Sequence, residues 1–252
     1  LRSIKTALSI DPDKLSASGL VVKADKMRAM AKQGKTSSTT PSATLKPAAG
    51  TTDFSALAAS ASMPPLNLAD HFLIAMPMMG DTLFGGTVVY VCEHHAGGAL
   101  GMIINRPTDV TVDDLFERID LKLEIDLHSG LANHEPVMFG GPVQSDRGFV
   151  LHAPDTAYSS SLTVSDAVAL TTSRDVLEAV ADGHGPQRIL ITLGCAGWGA
   201  GQLEAEILRN DWLTVRADPD ILYDTPIEER FSAAMQLLGI DPGLLSTEAG
   251  HA

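Results

Sequence analysis

Thr87-Val-Val-Tyr-Val-Cys92-Glu93-His94-His95-Ala-Gly-Gly98-Ala99-Leu-Gly-Met-Ile-Ile-Asn105 sets two short apolar, β-branched runs on either side of a glycine turn. Val, Ile and Tyr favour strands, and adjacent glycines mark a chain reversal. The stretch reads as a β-hairpin, with strands over 87–93 and 99–105 and His94–Gly98 as the turn. Upstream, Phe72–Met76 is a third run of the same kind. Downstream, Val137–Phe139 and Gly148–His152 are two more, separated by Gly140-Gly141-Pro142 and a turn over Ser145-Asp146-Arg147-Gly148.

Helical signals are interleaved with these runs and dominate later. Thr111-Val-Asp-Asp114 has the spacing of a capping box and opens an amphipathic segment through Ile119. Thr172-Ser-Arg-Asp175 is a second cap signature, with a helix to about Ala181 stopped by Gly183-His-Gly-Pro186. Arg188–Leu193 then reads as a buried strand, and Gly194–Gly201 as a glycine-rich turn into a helix through Leu208. Trp212–Val215 is a further strand. Thr225-Pro226-Ile-Glu228 starts a last helix that Gly239 closes. Hairpins early and helices later predict an α+β domain, while the two strand-turn-helix passages leave an α/β sheet open.

Charge divides the chain. Residues 1–66 hold nine of the 18 basic residues and four of the 31 acids, a local +5; residues 67–252 keep nine basic residues and 27 acids, a formal −18. Both tryptophans, both cysteines and six of the seven phenylalanines also follow residue 66. The Ser, Thr, Ala and Pro-rich stretch 33–65 cannot bury enough apolar area to offset the entropy of ordering it, so 1–66 is expected to be a disordered basic extension and 67–252 the folded domain. A domain of −18 repels a phosphate backbone, which disfavours direct DNA binding. The two cysteines are 103 positions apart and read as thiols of a cytoplasmic protein. No apolar run approaches the roughly 18–20 residues of a membrane span.

The chemistry-bearing motifs match no established catalytic pattern. Cys92-Glu93-His94-His95 has metal-ligating residue types, but successive strand residues face opposite ways and no second pair stands at finger-like spacing. Gly194-Cys195 lacks the intervening residue of a nucleophile elbow. A P-loop needs Gly-Lys, and Lys122 is the only lysine after Lys46. Glu204 stands where a dinucleotide fingerprint requires its third glycine. Trp198 reads as packed over the start of the following helix. The acid pairs Asp113-Asp114, Glu204 with Glu206, and Glu228-Glu229 are one or two positions apart and do not share a helix face. Arg106 beside Asn105 and Pro107, and Arg147 in its turn, could fork around a carboxylate or phosphate; an internal ion pair is the plainer expectation for each.

Asn67-Leu-Ala-Asp-His71 through Pro77, Phe84-Gly-Gly through His94, Gly101-Met-Ile-Ile-Asn105-Arg106-Pro107, Val137-Met-Phe-Gly140-Gly141-Pro142, Asp146-Arg147-Gly148-Phe149, Leu151-His152, Thr171 to Asp175, Gly194 to Gln202, Asn210 to Leu213 and Gly250-His251-Ala252 together resemble the YqgE/AlgH family of bacterial proteins over about residues 67–252. The resemblance implies an α+β fold whose branched β-sheet curls into a pseudo-barrel with helices packed around it. It brings no enzymatic activity, metal or cofactor, although one branch carries the label of a transcriptional regulator of alginate synthesis. The position of Cys195 is usually Tyr in the family, which makes this thiol a variant turn residue rather than a catalytic one.

Two functional expectations follow. The first is a non-enzymatic binding protein with no catalytic residue, metal or cofactor, acting on gene expression indirectly through a protein or a small anionic partner. The second is an enzyme or small-anion site where Glu93, His94, Asn105, Arg106, Gly140, Gly141 and Arg147 converge, with Trp198 as a further contact. The second requires one open pocket in which His94 or Glu93 bonds Arg106 or Arg147.

Overall fold

The computed structural model describes residues 66–79, 83–121 and 135–241; the basic extension, Leu66 apart, and the motif at 250–252 lie outside them. The strands are β1 (His71–Ala75), β2 (Val88–His95), β3 (Gly98–Ile103), β4 (Pro107–Thr111), β5 (Pro136–Phe139), β6 (Val143–His152), β7 (Ser161–Thr163), β8 (Ala169–Thr171), β9 (Ile189–Gly199) and β10 (Trp212–Arg216). The helices are α1 (Val112–Arg118), α2 (Asp175–Ala181), α3 (Gln202–Leu208), α4 (Pro219–Tyr223) and α5 (Arg230–Leu237). The fold is α+β, and its sheet curls into a half-barrel. None of the described helices is long and apolar enough to cross a membrane.

Alternation along the strands explains the apolar runs. In β2, Val88, Tyr90 and Cys92 enter one core, and Val89 and Val91 enter another on the opposite face. A strand covered on both faces needs apolar residues at every position, so its sequence loses the polar alternation of a half-exposed strand. β9 serves three cores: Leu190 and Cys195 join the first, Ile189, Ile191 and Leu193 pack with α1 and α2, and Ala196 and Trp198 lie with Leu203 of α3.

The sheet runs β10-β1-β2-β3-β9-β6-β8-β7 and branches at β9. One edge of β9 pairs with β6; the other pairs antiparallel with β3 over Ala196–Gly199 and parallel with β5 at Thr192 and Leu193. The strand read as ending at Leu193 therefore continues to Gly199, and only Ala200-Gly201 turns into the following helix. Gly194 has a φ of +73° and bends β9 where the two partners meet. Likewise Ser145–Gly148 belongs to β6, as a bulge in which Val143 pairs Cys195 and Gly148 pairs Leu193, with Gln144 at a φ of +49°.

Local signals held at α1, where Thr111 and Asp114 form the expected reciprocal cap. The hairpin also forms, with a shorter turn of Ala96-Gly97 because β2 reaches His95. The other two caps differ. Arg174 occupies the N-cap of α2 without a side-chain capping bond, and Asp175 is taken by Ser159 and Ser173. Before α5 the chain makes a 3-10 turn over Ile227–Glu229, and Thr225 donates instead to the Asp220 carbonyl.

His152, fully buried at the end of β6, links three strands. The Ala153 carbonyl, 2.7 Å from Nδ1, can only accept, so Nδ1 carries the proton and Nε2 accepts from Thr171 Oγ1 at 2.8 Å. Thr171 Oγ1 lies 2.6 Å from Ser161 Oγ on β7. Burial lowers the His152 pKa, outweighing the Ala153 bond and Asp155. Stability from the neutral ring is then complete above the unfolded value of about 6.5 and declines as pH falls through it toward the folded value. Urea unfolding between pH 7.5 and 5.5 should show a steeper loss in the wild type than in His152→Gln; parallel curves would exclude this linkage.

Candidate functional site

Asn105 and Arg106, at the end of β3, hold a turn rather than an open pocket. Asn105 Oδ1 accepts the Val88 N–H at 2.8 Å and its Nδ2 donates to the Gly86 carbonyl at 3.0 Å. Arg106 Nη1 donates to the Leu83 carbonyl and Nη2 to that of Gly85 at 3.3 Å. Asn105 thereby ties the end of β3 to the 84–87 turn. The expected acid partner for Arg106 is replaced by two backbone carbonyls, since a turn of orphan acceptors suits a forked donor. Arg106→Ala should cost about 1.5–3 kcal/mol in urea unfolding, the range for hydrogen bonds to a charged group, and any loss of binding should track the folded fraction.

Gly140 and Gly141 stand at the sheet's branch point. A Cβ on Gly140 would lie 2.2 Å from the Gly194 carbonyl oxygen, and one on Gly141 would lie 2.3 Å from the Cys195 carbonyl carbon. Their lack of side chains serves backbone crossing against β9. Cys195, 2% exposed beneath Val143, has its thiol pushed up to about 11 by burial, with Arg147 acting weakly the other way. So little thiolate exists at neutral pH that alkylation should be far slower than that of free cysteine, as mass spectrometry over a time course would show. Arg147 donates from Nη1 to Gln144 Oε1 at 3.2 Å, and its guanidinium lies 5.5 Å from the Phe149 ring centre.

The hairpin end carries the remaining candidates. His94 is buried: its Nδ1 accepts the Leu68 N–H at 3.0 Å, which leaves Nε2–H to donate to Glu204 Oε1 at 3.1 Å. Glu93 and His95 are exposed and lie 3.3 Å apart. Trp198, next to the last residue of β9, donates its indole N–H to Glu206 Oε2 at 2.8 Å, and Trp212 of β10 donates to the same oxygen at 2.9 Å. Gln202 completes the anchor by donating to Glu206 Oε1 at 2.9 Å and accepting from the Gly199 N–H at 3.1 Å. Phe84 packs on both indoles, with ring centres 6.5 Å and 5.5 Å away.

Of the eight sequence candidates, Glu93 and Trp198 share one surface cleft of about 160 Å³, completed by His95 and the hairpin residues Gly97–Leu100. Glu93 and His94 take His95 and Glu204 as partners, not Arg106 or Arg147, so the pairing required by the second expectation is not met. Glu204, Glu206, Gln202 and Trp212 were not expected at the site. Their signal was present in α3 as two acids two positions apart, Glu204 reaching back to His94 of β2 and Glu206 taking the indoles of the flanking β9 and β10.

A sequence profile described as AlgH-like matches residues 72–243. UPF0301 proteins of Burkholderia mallei and Burkholderia pseudomallei are 61% identical over 195 residues, which is 77% of this chain and all of theirs. The solution structure of the AlgH protein from Pseudomonas aeruginosa matches with a TM-score of 0.61 at 47% identity, over 77% of this chain and 100% of that one. A crystal structure of protein DIP2367 from Corynebacterium diphtheriae shares the fold, with a TM-score of 0.52 at 18% identity over 71% of this chain and 90% of its own. A family profile over most of the chain and relatives this similar along their whole length place the protein in the AlgH-like family, to which it belongs.

Proposed function

We infer that this chain is a non-enzymatic binding protein that engages a protein partner and influences gene expression only indirectly. The observation that carries the reading is the division of labour among its polar groups. Asn105, Arg106, His94 and the glycine pair are consumed by backbone and buried contacts, whereas Glu93 and His95 remain exposed beside the cleft at the hairpin end. The acid balance of residues 67–252 works against nucleic acid as the direct partner. A photo-crosslinking residue at exposed Ala96 should yield discrete protein adducts in cells that make the protein natively, and one at exposed Glu228 should not. Duplex DNA binding at about nanomolar affinity at physiological salt, with a steep salt slope, would overturn the indirect role.

Arg147 supports a second reading, a small-anion site. Its guanidinium has no carboxylate within ion-pair distance among the described residues, although acids outnumber bases threefold in this part of the chain. Phosphate should then raise the melting temperature over chloride at matched ionic strength, and Arg147→Gln should remove the difference.

A further inference from the structure

The hairpin cleft has a size, a charge and a reason for staying empty of the chain's own side chains. Gly97 would place a Cβ 2.8 Å from His95 Cε1, and Gly98, at a φ of +136°, would place one 2.1 Å from the Trp198 carbonyl oxygen. Gly98 therefore cannot carry a side chain, one on Gly97 would have to displace the His95 ring, and Ala99 adds only a methyl group. At about 160 Å³ the cleft falls below the roughly 300–1,000 Å³ of pockets that enclose whole small molecules, and is of a size for a single side chain.

Two hydrogen bonds order its polar side chains. The Gly97 N–H donates to His95 Nδ1 at 2.9 Å, which fixes the imidazole proton on Nε2, 3.3 Å from Glu93 Oε1. His95 thus orients Glu93, the only acidic residue of the lining. Its second oxygen has no hydrogen-bond partner among the described residues. Trp198 contributes to the wall, where an aromatic neighbour favours a cation. The −18 balance of residues 67–252 steers basic surfaces toward the domain.

From this we propose that the cleft receives one basic side chain, Arg or Lys, projecting from the protein partner, with Glu93 as its counter-charge and His95 as the residue that positions Glu93. The proposal rests on the protein-partner reading above. Titration of the full chain with N-acetyl-arginine amide, followed by amide NMR, should give saturable shifts at Gly97, Gly98 and the Trp198 indole N–H, and N-acetyl-glutamine amide should give none. Glu93→Gln should weaken the arginine response at least tenfold, whereas Glu229→Gln, which removes an equal charge from α5's approach, should change it less than twofold. Absent shifts at the hairpin, or equal weakening by both variants, would refute the cleft as a basic-side-chain site. Protein adducts at residue 96 that persist unchanged in Glu93→Gln would also refute it while leaving the protein-partner reading intact; loss of the adducts from the otherwise wild-type chain would instead remove that reading.

Discussion

Gly141→Ala is expected to lower stability by on the order of 4 kcal/mol, the sum of a forced positive φ and an overpacked backbone crossing. Gly141 has a φ of +147°, and its Cβ would fall 2.3 Å from the Cys195 carbonyl carbon and 2.4 Å from its oxygen. Neither atom can swing aside as a side chain could, because β9 is held there by β6 at Val143 and by β3 from Ala196 onward. Relief requires moving the branch point itself. Gly239→Ala is the milder comparison: its φ of +69° lies in the left-handed region that alanine can enter, and nothing lies within 4 Å of the added carbon. That variant should lose only about 1 kcal/mol, the conformational cost alone. Urea unfolding of the two proteins measures the difference; equal losses would mean that the crossing at β9 contributes nothing beyond φ. Domains have about 5–15 kcal/mol in total, so the Gly141 variant should also show a raised unfolded population under native conditions.

What the sequence made legible and what it hid divide along one physical line. The hairpin and the α1 cap depend on residues within a few positions of one another: Val88 to Val91 alternate between two cores, and Thr111 and Asp114 bond each other. Gly194 depends on a residue far away. Read locally, a glycine followed by Gly197, Gly199 and Gly201 signals a turn. In the fold, Gly194 is a strand residue whose freedom is used against the Gly141 carbonyl, 2.3 Å from where its Cβ would lie. The short strands β4 and β7 were hidden for a related reason: none of their residues is buried and most are polar, so no apolar pattern marks them. The candidate site followed the same rule. Residue types at Asn105, Arg106 and His94 correctly announced strong hydrogen bonding, but their partners, the 83–86 carbonyls and Glu204, come from separate parts of the chain.

Glu206→Ala should cost about 2–4 kcal/mol, because it strands two largely buried indole N–H groups that share one carboxylate oxygen, each worth about 1–3 kcal/mol when left unmade. Trp198 is 7% and Trp212 3% exposed, and with Phe84 they form an aromatic cluster that ties the end of β9 to β10. The loss should appear in a shifted tryptophan emission as well as in a lower unfolding midpoint. Glu206→Gln discriminates hydrogen bonding from packing. Its amide oxygen can still accept both indole protons, but its NH2 then faces Gln202 Nε2, which cannot turn over without giving up the Gly199 N–H. The glutamine variant should therefore recover most, but not all, of the alanine loss, and adding Gln202→Ala to it should cost less than the same change in the wild type. If alanine and glutamine were equally destabilising, the negative charge, rather than the shared acceptor, would be what holds the two indoles.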